Sequence, residues 1–182
     1  QAGRFQEARD ALLEARRLSP RDGAMAGMLG AMTFREGRAA EALTWLDEAA
    51  RLSPRDPAPH YNRGLALEQM GRPSAALASY RIADRRNPRD PDTAYQLGKL
   101  LVKSGAAQDA VPVLERAVRL RPRDHRPWQM LGLALVEAGR PQEGFDAYAR
   151  ARALGLDTAG LHNNIGIACR LLGRREEALA AF

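Results

Sequence analysis

Apolar residues recur along this chain in one order and at one step. Trp128, Leu131, Gly132 and Leu135 form a stripe at helical spacing. A second kind of stripe follows each of the first, with small residues flanking a larger apolar one, as in Ala76, Tyr80 and Ala83 or Ala110, Leu114 and Ala117. Each stripe predicts one amphipathic helix, and the two kinds alternate. The columns return every 34 residues without an insertion: Leu12, Leu46, Tyr80, Leu114, Tyr148 and Phe182 are bracketed by Ala8, Ala42, Ala76, Ala110, Gly144 and Ala178 and by Ala15, Ala49, Ala83, Ala117 and Ala151. A glycine column, Gly30, Gly64, Gly98, Gly132 and Gly166, keeps the same step. A fixed period of this length marks an array of one supersecondary unit.

Between the helices stand residues that stop and start them. Gly37, Gly71, Gly105, Gly139 and Gly173 close the first helix of each unit, because glycine tolerates the left-handed conformation of a helix end. Pro73 and Pro141 suit the first turn of the next helix, where a missing N–H costs nothing. That second helix stops near Pro20, Pro54, Pro88 and Pro122, and Asp22, Asp56, Asp90 and Asp124 are placed to cap the following one. The hexapeptide Arg17-Leu18-Ser19-Pro20-Arg21-Asp22 recurs unchanged from Arg51 to Asp56. It decays in later copies, and the copy from Ala153 to Thr158 has no proline.

The expected fold is all-α, a single solenoid of stacked antiparallel helix pairs over 1–182. Its units are the second helix of a cut repeat at 1–22, complete repeats at 23–56, 57–90, 91–124 and 125–158, and a truncated repeat at 159–182. Gln1 opens the chain and Ala2-Gly3-Arg4-Phe5 reads as the middle of a unit, so the segment is expected to continue a longer array. Its uncapped terminal helices are candidates for self-association. Gly64 and Ala76 mark places where paired helices approach closely, with Leu67 and Tyr80 filling space alongside. Three departures are expected to weaken single packing sites: Arg63 before Gly64, Gly144 in an alanine column, and the absent proline after the fourth complete unit. Pro112 falls inside a helix and removes the bond to Gln108, at a cost of about 3 kcal/mol in an unadapted helix, which predicts a kink or a late helix start.

The pattern resembles the tetratricopeptide repeat family over the whole chain, and Trp128, Leu131, Gly132, Gly139, Tyr148 and Ala151 match its motif best. The resemblance implies a right-handed superhelix whose first helices line a concave side, and a role in holding a protein or peptide. A family clamp for a C-terminal carboxylate is not reproduced: Asn62 is in place, but Gly27, Ala31, Asp92 and Gln96 stand where the clamp needs other residues. An asparagine ladder, as in members that serve as the substrate arm of a sugar transferase, is matched by Asn62 and Asn164 and interrupted by Met28, Gln96 and Met130. A recognition arm of a larger enzyme, such as a glycosyltransferase with these repeats, is the alternative to an interaction scaffold.

Candidate chemistry is sparse. No nucleophile, base and orienting group converge in the pattern, so no enzymatic activity is expected. No cofactor is implied, because neither a dinucleotide fingerprint nor a phosphate-loop lysine motif occurs. No metal spacing is present. His60 and His162 share the packed column of Trp128, His125 starts a helix, and Cys169 shares the column of Leu67, Leu101 and Leu135, which predicts a small buried hydrophobe. No run approaches the roughly 20 apolar residues of a membrane helix, and the compartment stays open. The net charge is +6, carried by 26 arginines and two lysines. The arginines gather at hairpin ends, Arg4, Arg38, Arg72, Arg140 and Arg174 after the turn glycines and Arg21, Arg55, Arg89 and Arg123 beside the aspartates. Nucleic-acid readers combine such charge with stacking aromatics on one surface, whereas here the aromatics sit in packing columns, which argues against a nucleic-acid track.

The free face of each first helix follows from geometry, opposite the Trp128 column and centred one residue past the glycine. The candidate contact residues are Tyr61, Asn62, Leu65 and Gln69; Tyr95, Gln96, Lys99, Val102 and Lys103; Gln129, Met130, Leu133 and Val136; and Asn163, Asn164, Ile167 and Arg170. Tyrosines, amides and scattered aliphatics suit an extended peptide or a partner helix. Tyr61 and Tyr95 would supply contact area, while Lys99 and Lys103, one turn apart, would grip an acidic group.

Overall fold

A computed structural model of the protein describes residues 2–181, with side chains from residue 7 onward. Phe182 and the side chains of Arg4 and Phe5 lie outside the described residues. Eleven helices and no strand are found among those described: α1 (Ala2–Leu18), α2 (Gly23–Arg35), α3 (Ala39–Leu52), α4 (Ala58–Gln69), α5 (Pro73–Arg86), α6 (Pro91–Lys103), α7 (Ala107–Leu120), α8 (His125–Glu137), α9 (Pro141–Ala153), α10 (Ala159–Leu171) and α11 (Arg175–Ala181).

The starts of the first helices, α2, α4, α6, α8 and α10, are capped by side chains. Asp22 accepts from the Ala24 N–H at 2.8 Å, Asp56 from Ala58 at 2.9 Å, Asp90 from Thr93 at 2.9 Å and Asp124 from Arg126 at 3.0 Å. One step further on, Thr158 takes the same place and accepts from the Leu161 N–H at 3.2 Å. Each such cap is worth about 1 kcal/mol. The five turn glycines hold φ between 68° and 82°. Gly155, at φ 92°, ends α9 where the other units use a proline-containing turn, so the unit without proline keeps a defined stop.

The chain forms two compact units, Gln1–Pro88 and Arg89–Phe182. In the first, α1 packs on α2, α2 on α3 and α4, and α4 on α3 and α5. In the second, α6 packs on α7 and α8, α8 on α7 and α9, and α10 on α8, α9 and α11. Helices joined by short turns alternate in direction, so each unit is a succession of antiparallel pairs. The alanine columns are sealed between them: Ala42, Ala76, Ala110, Ala49, Ala83, Ala117 and Ala151 are all fully buried. Ala8, on α1, is exposed.

The glycine column and the large apolar column interlock. A Cβ on Gly64 would lie 2.6 Å from Tyr80 Cδ1, one on Gly98 2.5 Å from Leu114 Cγ, and one on Gly132 2.6 Å from Tyr148 Cδ1. The bulky residue of the second helix thus occupies the space that the first helix leaves empty, and the two backbones close up around it.

Three sequence expectations need correction. Arg63 does not simply weaken its site: its Nε donates to Asp47 Oδ1 at 2.7 Å on α3 and its Nη1 to Ser79 Oγ at 2.7 Å on α5. Ser79 is fully buried and itself donates to the Ala75 carbonyl at 3.0 Å, so a polar pair replaces an apolar one without leaving an orphan. Gly144 is required where it stands, since a Cβ there would meet Val136 Cγ2 at 2.5 Å and the Gly132 carbonyl at 2.9 Å. Pro112 causes no late start, because α7 begins at Ala107 and runs unbroken through it. Pro112 and Gln108 are both exposed, so water can serve the carbonyl that the missing N–H would have paired.

Candidate functional site

The free faces of the first helices divide between the units. In the first unit they belong to α2 and α4, and in the second to α6, α8 and α10, with α8 packed on both α6 and α10. Tyr61, Asn62 and Leu65 are half-buried on α4 and Gln69 is exposed. The Tyr61 ring leans on the buried Tyr80 ring, centroids 6.0 Å apart at 52°. On α6, Tyr95, Gln96 and Lys99 are half-buried and Lys103 is exposed. On α8, Gln129, Met130, Leu133 and Val136 are half-buried, and on α10 Asn164 and Ile167 are half-buried while Asn163 and Arg170 are exposed.

Val102 departs from this pattern. It is only 7% exposed and belongs to the core. Residue i+4 on a helix shares a face with residue i, so the residue one turn beyond Gly98 follows that glycine toward the paired helix. Its column confirms the direction: Val136 reaches Gly144 on α9, and Glu68 accepts from the Tyr80 hydroxyl at 3.2 Å. Val136 and Leu133 also pack in part against the cluster of Tyr148, Ala151, Leu161, Ile165 and Cys169. Val102 therefore leaves the candidate face, and Val136 stands at its margin.

One side chain of this face escaped the sequence reading. Arg126, in the first turn of α8, holds its guanidinium 5.6 Å from the centroid of the Tyr95 ring on α6. Asp124 fixes it from the other side, Nη2 to Oδ2 at 2.6 Å, and that hydrogen bond holds the Asp124 carboxyl below its usual range. Ala24, Ala58, Asp92 and Gly160 fill the same column, so a search for columns of shared chemistry passes over it. Beside this pair, Gln96 Oε1 is buried and accepts no hydrogen bond from the described residues. Arg121 grips Asp92 with both nitrogens, at 2.6 and 2.7 Å, and ties the turn after α7 to the start of α6.

The remaining polar candidates are structural in placement. Trp128 Nε1 donates to the Pro122 carbonyl at 3.2 Å, and His162 Nε2 is paired with Asp157 Oδ1 at 2.6 Å. Cys169 is fully buried, and burial pushes its thiol up. Among the described residues no cluster of histidine, cysteine and carboxylates could hold a metal, and no helix is long and apolar enough to cross a membrane.

This arrangement defines a helical-repeat scaffold with an amide-, tyrosine- and aliphatic-lined face in each unit. A tetratricopeptide repeat model matches residues 61–125 and 130–182, more than half of the chain, and a second TPR repeat model matches 30–71. The chain belongs to the tetratricopeptide repeat family, and its fold is the all-α solenoid of that family. Among solved structures it is similar to MamA (41-end) from Desulfovibrio magneticus RS-1, at 28% identity and a TM-score of 0.80 over 88% of this chain and 90% of that one. It is also similar in fold to YrrB, described as a TPR protein with an unusual peptide-binding site, at 23% identity and a TM-score of 0.89 over 94% of this chain and 88% of that one. No match was found among curated proteins.

Proposed function

We propose that the protein is an interaction scaffold that binds an extended peptide or a partner helix on the free faces of its first helices, bringing that partner into a complex. The observation that carries the reading is the face of α6, α8 and α10. Gln96, Gln129, Met130, Asn164 and Ile167 lie half-open there beside the stacked Tyr95 and Arg126. A purely solvated face would carry more charge and fewer amides. The Gln96 Oε1 acceptor adds a specific reason. A buried acceptor without a donor costs about 1–3 kcal/mol, and a peptide N–H laid along α6 relieves it once the Gln96 side chain turns outward. The solved structure of YrrB, a peptide-binding repeat protein by its description, speaks at 23% identity to the fold alone. The chemistry of the face is this chain's own.

The test is selection from a random peptide display library, followed by affinity measurement on the selected peptides. The expected outcome is that Gln96→Leu with Met130→Lys weakens them about tenfold, as loss of hot-spot contacts does. Arg150→Glu, at an exposed position of α9, leaves them unchanged. A library that yields no binder, or binders indifferent to the α6 and α8 changes, would refute the reading.

A further inference from the structure

The arginines of the first unit are not placed alike. Because its helices alternate in direction, the ends of α1, α3 and α5 and the starts of α2 and α4 share one edge. That edge carries Arg17, Arg21, Arg51, Arg55, Arg85 and Arg86, all exposed. Arg17 and Arg51 have glutamates three residues back, Arg17 Nη1 3.2 Å from Glu14 and Arg51 Nη2 3.9 Å from Glu48. The other four make no ion pair among the described residues. Asp22 and Asp56, the nearest carboxylates in the connecting turns, are committed to helix caps. At the opposite edge Arg38 is gripped by Glu36 and Glu41, while Arg35 and Arg72 stand exposed there. His60, near the start of α4, has its pKa lowered by burial first and then by Arg63 and Arg86, against the opposing pull of Asp56 and Asp47.

We propose that this edge of the first unit is a docking surface for an extended acidic polypeptide segment. It is separate from the peptide-binding faces of the first helices. Helices pack about 8–10 Å apart and an extended chain advances about 3.3 Å per residue, so a segment with an acidic residue at every second or third position meets a new guanidinium at each helix end. Arginine suits this use, because its fork can bind a carboxylate through two nitrogens. Single-stranded nucleic acid fits less well, because residues 17–22, 51–57 and 85–88 contain no aromatic side chain on which a base could stack. A lipid surface also fits less well, because among the described residues Leu18 is the one exposed large apolar side chain at this edge.

The experiment titrates the protein with a labelled peptide of alternating glutamate and alanine, and in parallel with oligothymidine of equal charge and with vesicles containing phosphatidylserine. Two charge-matched variants are compared, Arg55→Gln with Arg86→Gln on this edge and Arg35→Gln with Arg72→Gln on the other. All four positions are exposed, and unchanged melting of both variants verifies that the fold is intact. The expected result is binding of the acidic peptide that weakens with salt, falls about fivefold or more in the first variant and less than twofold in the second. The Gln96→Leu, Met130→Lys variant leaves it unchanged, which separates this surface from the other face. Equal loss in the two charge variants, no binding of the acidic peptide, or tighter binding of the oligonucleotide or the vesicles through the same arginines would overturn the proposal.

Discussion

Two glycines with the same local helix environment and opposite surroundings give a sharp test of the packing. Gly27 on α2 and Gly64 on α4 both lie inside helices, so replacement by alanine gains about 1 kcal/mol of helix propensity at each. They differ in what the new methyl meets. At Gly27 the nearest atoms are Ala49 Cβ at 3.8 Å and Pro59 Cγ at 3.9 Å, an ordinary contact. At Gly64 the methyl falls 2.6 Å from Tyr80 Cδ1 and 2.8 Å from Cζ, closer than carbon atoms approach. The Tyr80 ring cannot swing aside, since it is fully buried and its hydroxyl is bonded to Glu68. The helices must part instead, and overpacking of this kind costs about 1–3 kcal/mol; the upper part of that range applies to a wedged aromatic ring. Gly64→Ala is therefore expected to lose about 1–2 kcal/mol net, while Gly27→Ala gains about 0.5–1 kcal/mol. At about 2–4 °C per kcal/mol for a chain of this length, thermal melting followed by far-UV circular dichroism should separate the two variants on opposite sides of the parent. A shift of both in the same direction, or a rise in the melting temperature of Gly64→Ala, would show that Tyr80 does not fill the space left by Gly64.

The polar pair within the second complete repeat should behave as a unit. Arg63→Leu alone removes a charge-assisted bond to buried Ser79 and should cost about 1–2 kcal/mol, Ser79→Val alone about 1 kcal/mol, and the double variant at least about 0.5 kcal/mol less than their sum; additive losses in urea titrations would mean the two side chains are independent. At the start of α8, the Asp124 carboxyl is depressed below its ordinary value, so its contribution is fully present above the unfolded pKa of about 4 and fades as pH falls through the lower folded value. Asp124→Asn should therefore melt below the parent at pH 7, with the gap closing below about pH 4. A gap that stays constant down to about pH 2 would contradict the assignment.

Much of the fold was legible because the repeat states each physical requirement several times. A glycine at a 34-residue step can serve a left-handed helix end in every copy, and each from Gly37 to Gly173 has φ near 75°. Aspartate in a fixed place announces a cap, and four aspartates make one. Positions where one copy differs from the rest were harder to read. Arg63 looked like a defect because its partners, Asp47 and Ser79, each lie 16 residues away on different helices. Gly144 looked like a weak alanine because nothing in its own column shows that Val136 points at it.

The candidate face divides in the same way. Helical geometry alone places Tyr61, Tyr95, Gln129 and Asn163 on one side of their helices, and periodicity identifies that side as the one without a packing column. It does not say how far around the helix the neighbour reaches. That limit is tertiary: the approach of α7 to α6, set by Leu114 entering the space at Gly98, carries the contact one turn further and buries Val102. The stacking of Arg126 on Tyr95 is tertiary for the same reason, since it joins residues from different helices that only a packed stack brings within 5.6 Å. The amino-acid order settled which elements form and which stripe of each is apolar, because those depend on local spacing. The closeness of neighbouring helices, and with it the edge of the open face, depended on side-chain volumes meeting across the interface.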